Sequence, residues 1–416
     1  MKTTKSSPKK ESKNKKDQGT INHNHLDKIG EIALYYGCSP HAPIEIKKTD
    51  IDTAKEFLDH DYIDDNGKGD RLPLHVEEKV ALLRTYTEEE MHTLPQPVML
   101  YFKSAFKNPL LKKTSDYPRY CDIEILGNSK SVAEATLIQI ARAILAEEGY
   151  ENICIDINSI GDKDSMARFT RDLTNYYRKH INDLHTECRQ LLKKDPFELL
   201  ACKNDRCKQL NENAPQSMGF LSESSRAHFQ EVLEYLEALD IPYRINNGLI
   251  GNRKYCSETI FEIINLDHET KPKEQRTLAI GVRYDGLSKK MEFKREIPGV
   301  GLSILIKGKR EELRKEVKKT KIPQVYFIQL GFEAKLASLK VIEILRKAKI
   351  PVYQSLPKDK LGAQVSMAEK NQTPFTIIIG KKEAMEGTAI VRDTATRSQE
   401  TIKIEDLAVY LKKASE

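Results

Sequence analysis

Residues 325–353 read VYFIQLGFEAKLASLKVIEILRKAKIPVY, which predicts a buried strand, an amphipathic helix and a second strand in direct succession. The alternation continues downstream. LGAQVSMAEKN has a helical period, FTIIIG is strand-like, and TAIVRD and QETIKI flank a turn before a closing helix. Strands that alternate with helices are typical of a small α/β unit. We therefore predict an α/β domain over residues 322–416.

The chain upstream of this domain has a different layout. VMLYFKSAF, YCDIEIL and ENICIDINSIG are strand-like, as are three β-rich runs between residues 255 and 306. Ser131 to Gly149 predicts a helix, in which Ser131 and Glu134 have the spacing of a capping box. These elements predict a β-rich domain over residues 21–306.

Two segments of that domain lack the strand pattern. Residues 164–240 have helical periodicity that is interrupted at Pro196 and Pro215, and they predict a helical insertion. Residues 52–70 are polar and contain two glycines, which favours a loop or hairpin.

The net charge of +6 is unevenly distributed over the 416 residues. Residues 1–20 contain seven Lys against Glu11 and Asp17 and lack any aromatic side chain, which predicts a disordered basic tail. Such a tail is suited to lying along phosphates or to keeping the chain soluble. Residues 307–321 contain eight basic and three acidic residues, and they predict a linker helix that is either solvated or a nucleic-acid face.

The composition excludes membrane and secreted classes. The longest apolar stretches, residues 300–306 and 375–379, are far shorter than the roughly 20 residues of a membrane span. No apolar signal segment follows the N-terminus, and the seven Cys lack the spacing of a disulfide framework. We therefore expect a protein with reduced thiols in the cytoplasm and without membrane contact.

Three features of the pattern bear on chemistry. P-loop, HExxH and GxSxG motifs are absent from the sequence. His185, Cys188, Cys202 and Cys207 form an H-x2-C and C-x4-C arrangement, which is either a zinc site or a set of ordinary buried thiols; its spacing is irregular, and we predict no metal there. Glu124 and Arg283 lie within apolar runs, where a charge marks either a site or an ion pair.

Read in order from about residue 26 to residue 413, these segments resemble histidyl-tRNA synthetase, a class II aminoacyl-tRNA synthetase. The densest match runs through DINSIGDKDSMARFTRDL, ECRQLLKKDPFELLACKNDRC, SSRAHFQEVLEYLEALDIPYRIN, KYCSETIFEI and GVRYDGL, and a further match is IVRDTATRSQETI. The resemblance implies an α/β (α+β) fold: a six-stranded antiparallel catalytic sheet with helices, a helical insertion and a C-terminal α/β anticodon-binding domain. It also implies a homodimer, tRNA as a partner, and histidine and ATP with Mg²⁺ as substrates and cofactor of an active enzyme.

The residues that the resemblance implies for binding histidine are only partly retained in this sequence. Glu77 matches the acid that would hold the histidine α-amino group, within Val-Glu-Glu-Lys where the family has Pro-Glu-Gly-Thr. Glu124 matches the carboxylate that would meet the imidazole, and Tyr120 replaces a substrate-binding Gln. Tyr255 matches the first Tyr of the histidine-specific segment, whose second Tyr is replaced by Cys256.

The expected arginines around ATP are largely replaced. Lys107 stands where the family has the clamping Arg of motif 2, and a lysine lacks the planar fork of a guanidinium. The catalytic Arg of the histidine-specific segment is Gly251 here, and the catalytic candidates are Lys107 and Arg253, which lies two residues from Gly251. Arg283 of GVRYDGL remains as an ATP-binding candidate, and at motif 3 the candidates are Lys307 and Lys309. Loss of one positioned charge costs on the order of 3 kcal/mol in the transition state.

Three functions are compatible with this pattern. The protein is an active histidine–tRNA ligase with lysines in its ATP site, or a relative that binds tRNA and whose ligase chemistry is weakened or lost. The third is a regulatory subunit like that of ATP phosphoribosyltransferase, which normally lacks an anticodon-type domain. We favour the second function, because the substitutions fall on positions that would contact substrate while the scaffold is retained.

Overall fold

The chain folds around two β-sheets in a computed structural model that describes residues 28–57, 75–105, 119–200, 202, 204–269, 276–306, 325–354 and 360–414. The basic tail at 1–20 and the basic linker at 307–321 lie outside the described residues, so their predicted conformations stay predictions.

The first sheet has eight strands within the described residues, in the order β1-β2-β3-β8-β7-β6-β4-β5. Neighbours from β2 through β3, β8, β7 and β6 to β4 are antiparallel, which confirms the antiparallel sheet that we expected. The short strands β1 and β5 add parallel pairs at the two edges. The strands are Ser39–Pro40 (β1), Val98–Ala105 (β2), Arg119–Leu126 (β3), Ile153–Gly161 (β4), Tyr243–Ile245 (β5), Ser257–Asn265 (β6), Thr277–Arg283 (β7) and Gly299–Ile306 (β8).

The two faces of this sheet bury different clusters, because successive side chains of a strand point to opposite faces. On one face, Ile123, Phe261 and Leu302 pack in one apolar cluster with the helices α1 (Lys28–Tyr35), α4 (Val132–Glu147) and α8 (Glu223–Ala238). On the other face, Leu100 and Val282 pack with α3 (Val76–Glu88) and the helical insertion. This second face carries the candidate site.

Residues 164–240 form helices, as their periodicity predicts, and end with α8. The helices before α8 are α5 (Lys163–Lys179), α6 (Thr186–Lys194) and α7 (Asp205–Asn211), with 3₁₀ turns at Pro196–Leu199 and Ser217–Phe220. The predicted interruption at Pro196 is confirmed, since this proline begins the first 3₁₀ turn, where its missing N–H leaves no helical bond unmade. A further short helix, α9 (Leu287–Lys290), follows β7.

The second sheet confirms the predicted C-terminal α/β unit. Its order is β10-β9-β11-β12-β13, with β9 parallel to β10 and β11, and with antiparallel pairs on the other side. The elements are β9 (Val325–Gln329), α10 (Phe332–Lys347), β10 (Val352–Gln354), α11 (Leu361–Lys370), β11 (Phe375–Ile379), α12 (Lys381–Glu386), β12 (Thr388–Asp393), β13 (Gln399–Lys403) and α13 (Leu407–Ala414).

Helix α10 connects the two parts of the molecule. Tyr36 donates its hydroxyl to Glu343, and Gln139 Nε2 donates to the carbonyl oxygen of Leu339 at 2.9 Å. Buried apolar residues of both sheets belong to a single cluster around these contacts. The C-terminal unit therefore packs directly on α1 and α4.

Two local predictions are wrong. Residues 52–57 are not part of a loop or hairpin, because helix α2 (Lys48–Ala54) and a 3₁₀ turn reach Phe57, with Asp50 accepting the N–H of Lys47 at 2.8 Å at the start of the helix. Ser131 and Glu134 also form no capping box at α4. Ser131 donates to Glu231 instead, and the carboxylate of Glu134 is bound elsewhere. Among the described helices, none is long and apolar enough to cross a membrane.

Candidate active site

Strand β3 brings three buried polar side chains to the second face of the first sheet. Tyr120, Asp122 and Glu124 alternate along the strand, so they point to the same side. Gly301 on β8 pairs with Glu124, and a Cβ at Gly301 would lie 2.2 Å from Glu124 Oε2. The glycine therefore leaves the space in which this carboxylate lies.

The carboxylate of Glu124 is bound by two side chains of the same chain. Lys79, on the first turn of α3, makes an ion pair with Glu124 Oε1, and the Tyr284 hydroxyl donates to Oε2 at 2.6 Å. The ammonium of Lys79 also lies 5.7 Å from the centroid of the Tyr284 ring, at cation–π distance. The side chain of Lys79 is 5% exposed and that of Glu124 is fully buried. The site therefore contains a desolvated internal ion pair.

Acidic groups outnumber basic ones around this pair. Glu78 and Asp122 are buried close enough to act on Lys79 electrostatically. Burial and the neighbouring Asp122 hold the pKa of Glu78 well above its ordinary value. Because a protonated carboxyl is neutral, Glu78 relieves the excess of negative charge. Among the described residues, its Oε1 atom has no hydrogen-bond partner.

Lys79 keeps its charge in this environment. Burial disfavours the ammonium, but Glu124, Glu78 and Asp122 more than offset that effect and raise the pKa of Lys79. Burial also raises the pKa of Glu124, although Lys79 and Tyr284 oppose the shift. Since the ammonium and the carboxylate are in direct contact, we assign both groups as ionised at neutral pH.

Apolar side chains fill the same face beside the ion pair. Glu124 of β3 pairs with Gly301 of β8, and Gly301 pairs in turn with Val282 of β7. Val282 is buried at a position where the resemblance implies a glycine. Gly251, which aligns with a catalytic Arg, has φ +66°, and a Cβ there would lie 2.6 Å from Ile260 Cδ1. Backbone and packing therefore both oppose an arginine at position 251.

Arg253, expected to be catalytic, is bound to the helical insertion. Its guanidinium forms a two-point contact with Asp195, with an Nη1–Oδ1 distance of 2.7 Å, and lies 4.3 Å from the centroid of the Phe197 ring. In this arrangement Arg253 anchors the 3₁₀ turn at Pro196–Leu199. A catalytic role would require the contact with Asp195 to open.

Arg283, expected to bind ATP, lies in a fully buried ion pair. Its Nε and Nη2 atoms each donate to Glu134 at 2.6 Å, and further bonds reach Asp285 and the carbonyl oxygens of Asn128 and Lys130. Burial opposes the charge of Glu134, but Arg283 and His228, whose Nε2 lies 2.8 Å from Glu134 Oε1, together outweigh that effect and lower the pKa of Glu134 to about 2. Arg283 therefore holds β7 to the start of α4.

Of the other predicted site residues, three are among the described residues and three are outside them. Glu77 is half-buried at the start of α3, and its Oε1 lies 3.8 Å from His75 Nδ1. Tyr120 and Tyr255 are buried, and burial next to Asp122 raises the pKa of Tyr120 to about 12. Lys107, Lys307 and Lys309 lie outside the described residues, so their expected contacts with ATP stay predictions.

Sequence reasoning missed Lys79 as the central residue of this site. A signal for it was present, because Lys79 follows Val76 by three residues and precedes Val80, and therefore lies on the apolar stripe of α3. A lysine inside such a stripe indicates a buried acidic partner.

The four candidate zinc ligands are only partly brought together. Cys188, Cys202 and Cys207 have their sulfur atoms within 4.8 Å of one another, and the Cys188 and Cys202 sulfurs are 3.7 Å apart. His185 precedes α6 and is exposed. The three thiols therefore form a cluster in the insertion.

A groove in the C-terminal unit carries positive charge. Two arginines, Arg392 and Arg397, line it together with one acidic residue, Glu369 of α11. The other lining residues are apolar or carry a hydroxyl, namely Val365, Ala368, Thr376, Ile378 and Thr394. Two guanidinium groups beside apolar side chains are suited to a phosphate with an adjoining base.

The three described cations at the candidate positions are each paired with a carboxylate. Developing negative charge on phosphate requires cationic groups that are free to meet it. Here Lys79 is paired with Glu124, Arg253 with Asp195 and Arg283 with Glu134. We therefore derive no adenylation step from these residues.

Comparison with known proteins gives the family of the chain. The Anticodon binding domain family matches residues 324–414. Histidine–tRNA ligase of Desulforamulus reducens is 27% identical over 83% of this chain and 83% of its own length, and histidine–tRNA ligase 1 of Shouchella clausii is 30% identical over 82% and 81%. The apo S. aureus histidyl-tRNA synthetase structure is 24% identical, covers 91% of this chain and 92% of its own, and has a TM-score of 0.48. From the identity and coverage of the curated relatives, the chain belongs to the histidine–tRNA ligase family.

Proposed function

We propose that this protein binds tRNA and does not form histidyl-adenylate at a useful rate. The observation that carries the proposal is the ion pair between Lys79 and Glu124. By resemblance, Glu124 is the carboxylate that would meet the imidazole of histidine. In this chain an internal ammonium has taken that position.

A bound histidine would have to compete with Lys79. Displacing the ammonium from Glu124 leaves a buried charge without its main partner, and removal of one partner from a buried pair costs about 3–5 kcal/mol. A cost of that size weakens binding by roughly two to four orders of magnitude. The pairing of Arg253 and Arg283 with carboxylates supports the same conclusion for the nucleotide.

Binding of tRNA is supported by the C-terminal unit. Residues 324–414 match the Anticodon binding domain family, and Arg392 and Arg397 line a groove there. The basic residues at 1–20 and 307–321 would add phosphate contacts, which make affinity depend on salt. The same domain match disfavours a regulatory subunit of ATP phosphoribosyltransferase, since that relative normally lacks an anticodon-type domain.

We also propose, on the resemblance alone, that the protein is a homodimer in the cytoplasm. Light scattering coupled to size exclusion measures the mass in solution, and a monomer at micromolar concentration would contradict the dimer.

If the enzyme is active, it also requires ATP and Mg²⁺. Lys107, Lys307 and Lys309 are then the candidate phosphate contacts.

Histidine-dependent exchange of pyrophosphate into ATP tests the loss of chemistry. We expect no exchange above the signal of a sample without histidine. Exchange that depends on histidine and is abolished by Glu77→Gln or Lys107→Ala would show instead an active ligase with lysines at its ATP site.

Binding of tRNA is measured on the full chain by fluorescence anisotropy, with an unrelated structured RNA of equal length as the comparison. We expect the double variant Arg392→Glu, Arg397→Glu to weaken tRNA binding at least tenfold, whereas Arg171→Glu, an exposed change on the insertion, leaves it within twofold. Equal binding of both RNAs, or an unchanged affinity of the double variant, would contradict this part of the proposal.

A further inference from the structure

Three cysteines that come from three separate segments of the insertion lie together. Cys188 is on α6, Cys202 follows the 3₁₀ turn at Pro196–Leu199, and Cys207 is on α7. Their sulfur atoms lie within 4.8 Å of one another. Cys188 and Cys207 are 4% and 0% exposed, and Cys202 is partly exposed. The cluster is therefore mostly shielded from solvent and is open on one side.

The sulfur separations fit a shared metal ion. A tetrahedral zinc with Zn–S bonds of about 2.3 Å places two thiolate sulfurs about 3.8 Å apart. The sulfurs of Cys188 and Cys202 are 3.7 Å apart, and all three cysteines are free thiols. A disulfide would bring two sulfurs to about 2.05 Å and leave the third alone. The separation of the Cys188 and Cys202 sulfurs thus matches one edge of such a tetrahedron, and the Cys207 sulfur lies within 4.8 Å of both.

A metal ion at this position would stabilise the surrounding helices. Helices α6 and α7 are short, with 9 and 7 residues, and isolated helices of that length are marginal in water. Cys207 is the one residue of α7 that is buried. The other contacts of α7 include hydrogen bonds near its C-terminal end, where Tyr176 donates to the Leu210 carbonyl oxygen and Tyr177 donates to Asn211 Oδ1. A metal would connect α7 to α6 and to the segment between them.

His185 is the candidate for a fourth ligand by its place in the chain, although its ring nitrogens are not among the ligand atoms that lie within 4.8 Å of one another. It immediately precedes α6, and Cys188 is the third residue of that helix. The side chains of these two positions face the same side of a helix start, which is the geometry that a capping box uses. His185 makes no capping hydrogen bond and is exposed, so a rotation of its side chain does not break a helix cap.

From these observations we propose that Cys188, Cys202 and Cys207 bind one structural Zn²⁺ with His185 as the fourth ligand. Four protein ligands of this type close the coordination shell and exclude a catalytic water. The ion stabilises the insertion, and its presence does not depend on whether the protein binds tRNA or activates histidine.

Metal content of the full chain is the first test. Protein purified without an affinity tag under reducing conditions, from zinc-supplemented medium, is analysed by mass spectrometry of its elements, and we expect about one zinc per chain. A chelator-treated sample is then titrated with Co²⁺, which gives a thiolate-to-cobalt charge-transfer band. A folded, reduced protein that holds no zinc and gives no such band would overturn the proposal.

Substitutions identify the ligands. We expect Cys202→Ser to weaken Co²⁺ binding at least tenfold and His185→Ala to weaken it while the charge-transfer band remains. Cys154→Ser, a buried thiol on β4 outside the cluster, is the matched control and should leave binding unchanged. Circular dichroism establishes that each variant is folded. Unchanged metal binding by folded Cys202→Ser would overturn the site, and unchanged binding by His185→Ala would overturn the assignment of the fourth ligand.

Discussion

Removal of the Lys79 ammonium is the perturbation with the most informative consequence. Lys79→Met keeps most of the volume of the side chain but leaves Glu124 with the Tyr284 hydroxyl as its remaining partner. Breaking a buried pair from one side costs about 3–5 kcal/mol of unfolding free energy. At about 2.1 cal/mol/K of unfolding entropy per residue over some 300 residues, that loss lowers the melting temperature by roughly 5–8 °C.

A double-mutant cycle separates the pair from its surroundings. Glu124→Gln alone removes the charge that Lys79 contacts, although Glu78 and Asp122 remain near the ammonium. The double variant Lys79→Met, Glu124→Gln leaves no uncompensated charge at either position, so we expect it to be more stable than the sum of the single changes predicts, by about 2–3 kcal/mol. Calorimetry and circular dichroism measure these differences, because the chain contains no Trp to report by fluorescence.

The pH dependence gives the cycle an independent check. Burial already raises the pKa of Glu124, and loss of Lys79 removes the main opposing effect, so the variant protein takes up a proton at Glu124 more readily. A raised folded-state pKa of a carboxyl destabilises the fold increasingly as pH rises above the ordinary value. The deficit of Lys79→Met should therefore be smaller at pH 5 than at pH 8. The interpretation of Lys79 and Glu124 as a buried ion pair would be refuted if each single variant lost less than about 1 kcal/mol of unfolding free energy, if the two losses were additive, and if neither depended on pH.

The remaining predictions concern Arg283 and Gly251, the position at which the resemblance would have a catalytic arginine. Arg283→Met should cost about 3 kcal/mol, measured by calorimetry at neutral pH, because it leaves the buried Glu134 with His228 as its remaining charged partner. In the wild type, lowering the pKa of Glu134 from 4.5 to about 2 contributes about 3 kcal/mol to the free energy of unfolding. This contribution is present above pH 4.5 and is lost as pH falls toward 2. The melting temperatures of the wild type and of Arg283→Met should therefore converge in acid. Gly251→Arg should lower stability by about 1–3 kcal/mol and should not restore exchange, since φ is +66° and Ile260 occupies the space; exchange in this variant would contradict the packing described for that face.

Local periodicity was sufficient to predict most elements. Strand β3, helix α4 and the whole order of the C-terminal unit follow from apolar spacing over a few residues. The short edge strand β5 and helix α2 were missed, because three and seven residues give too little period to recognise. Element boundaries and types were thus predictable where a segment was long and amphipathic.

The sequence predicted only those site residues that stand out individually, without knowledge of their partners. Glu124 and Arg283 were singled out as charges in apolar runs, and both lie in buried ion pairs. Their partners were not predictable, because Lys79 is 45 and Glu134 is 149 residues away along the chain. The spacing of Ser131 and Glu134 suggested a local cap, but a fully buried guanidinium binds a carboxylate more strongly than a helix start does.

Equilibrium dialysis of radiolabelled histidine against the wild-type protein measures directly whether the position next to Glu124 is already taken. With Lys79 in place we predict no saturable binding at millimolar histidine, and with Lys79→Thr, which carries the residue of the family at that position, we predict that weak binding becomes measurable. Saturable binding of histidine by the wild type at micromolar concentration would contradict the account.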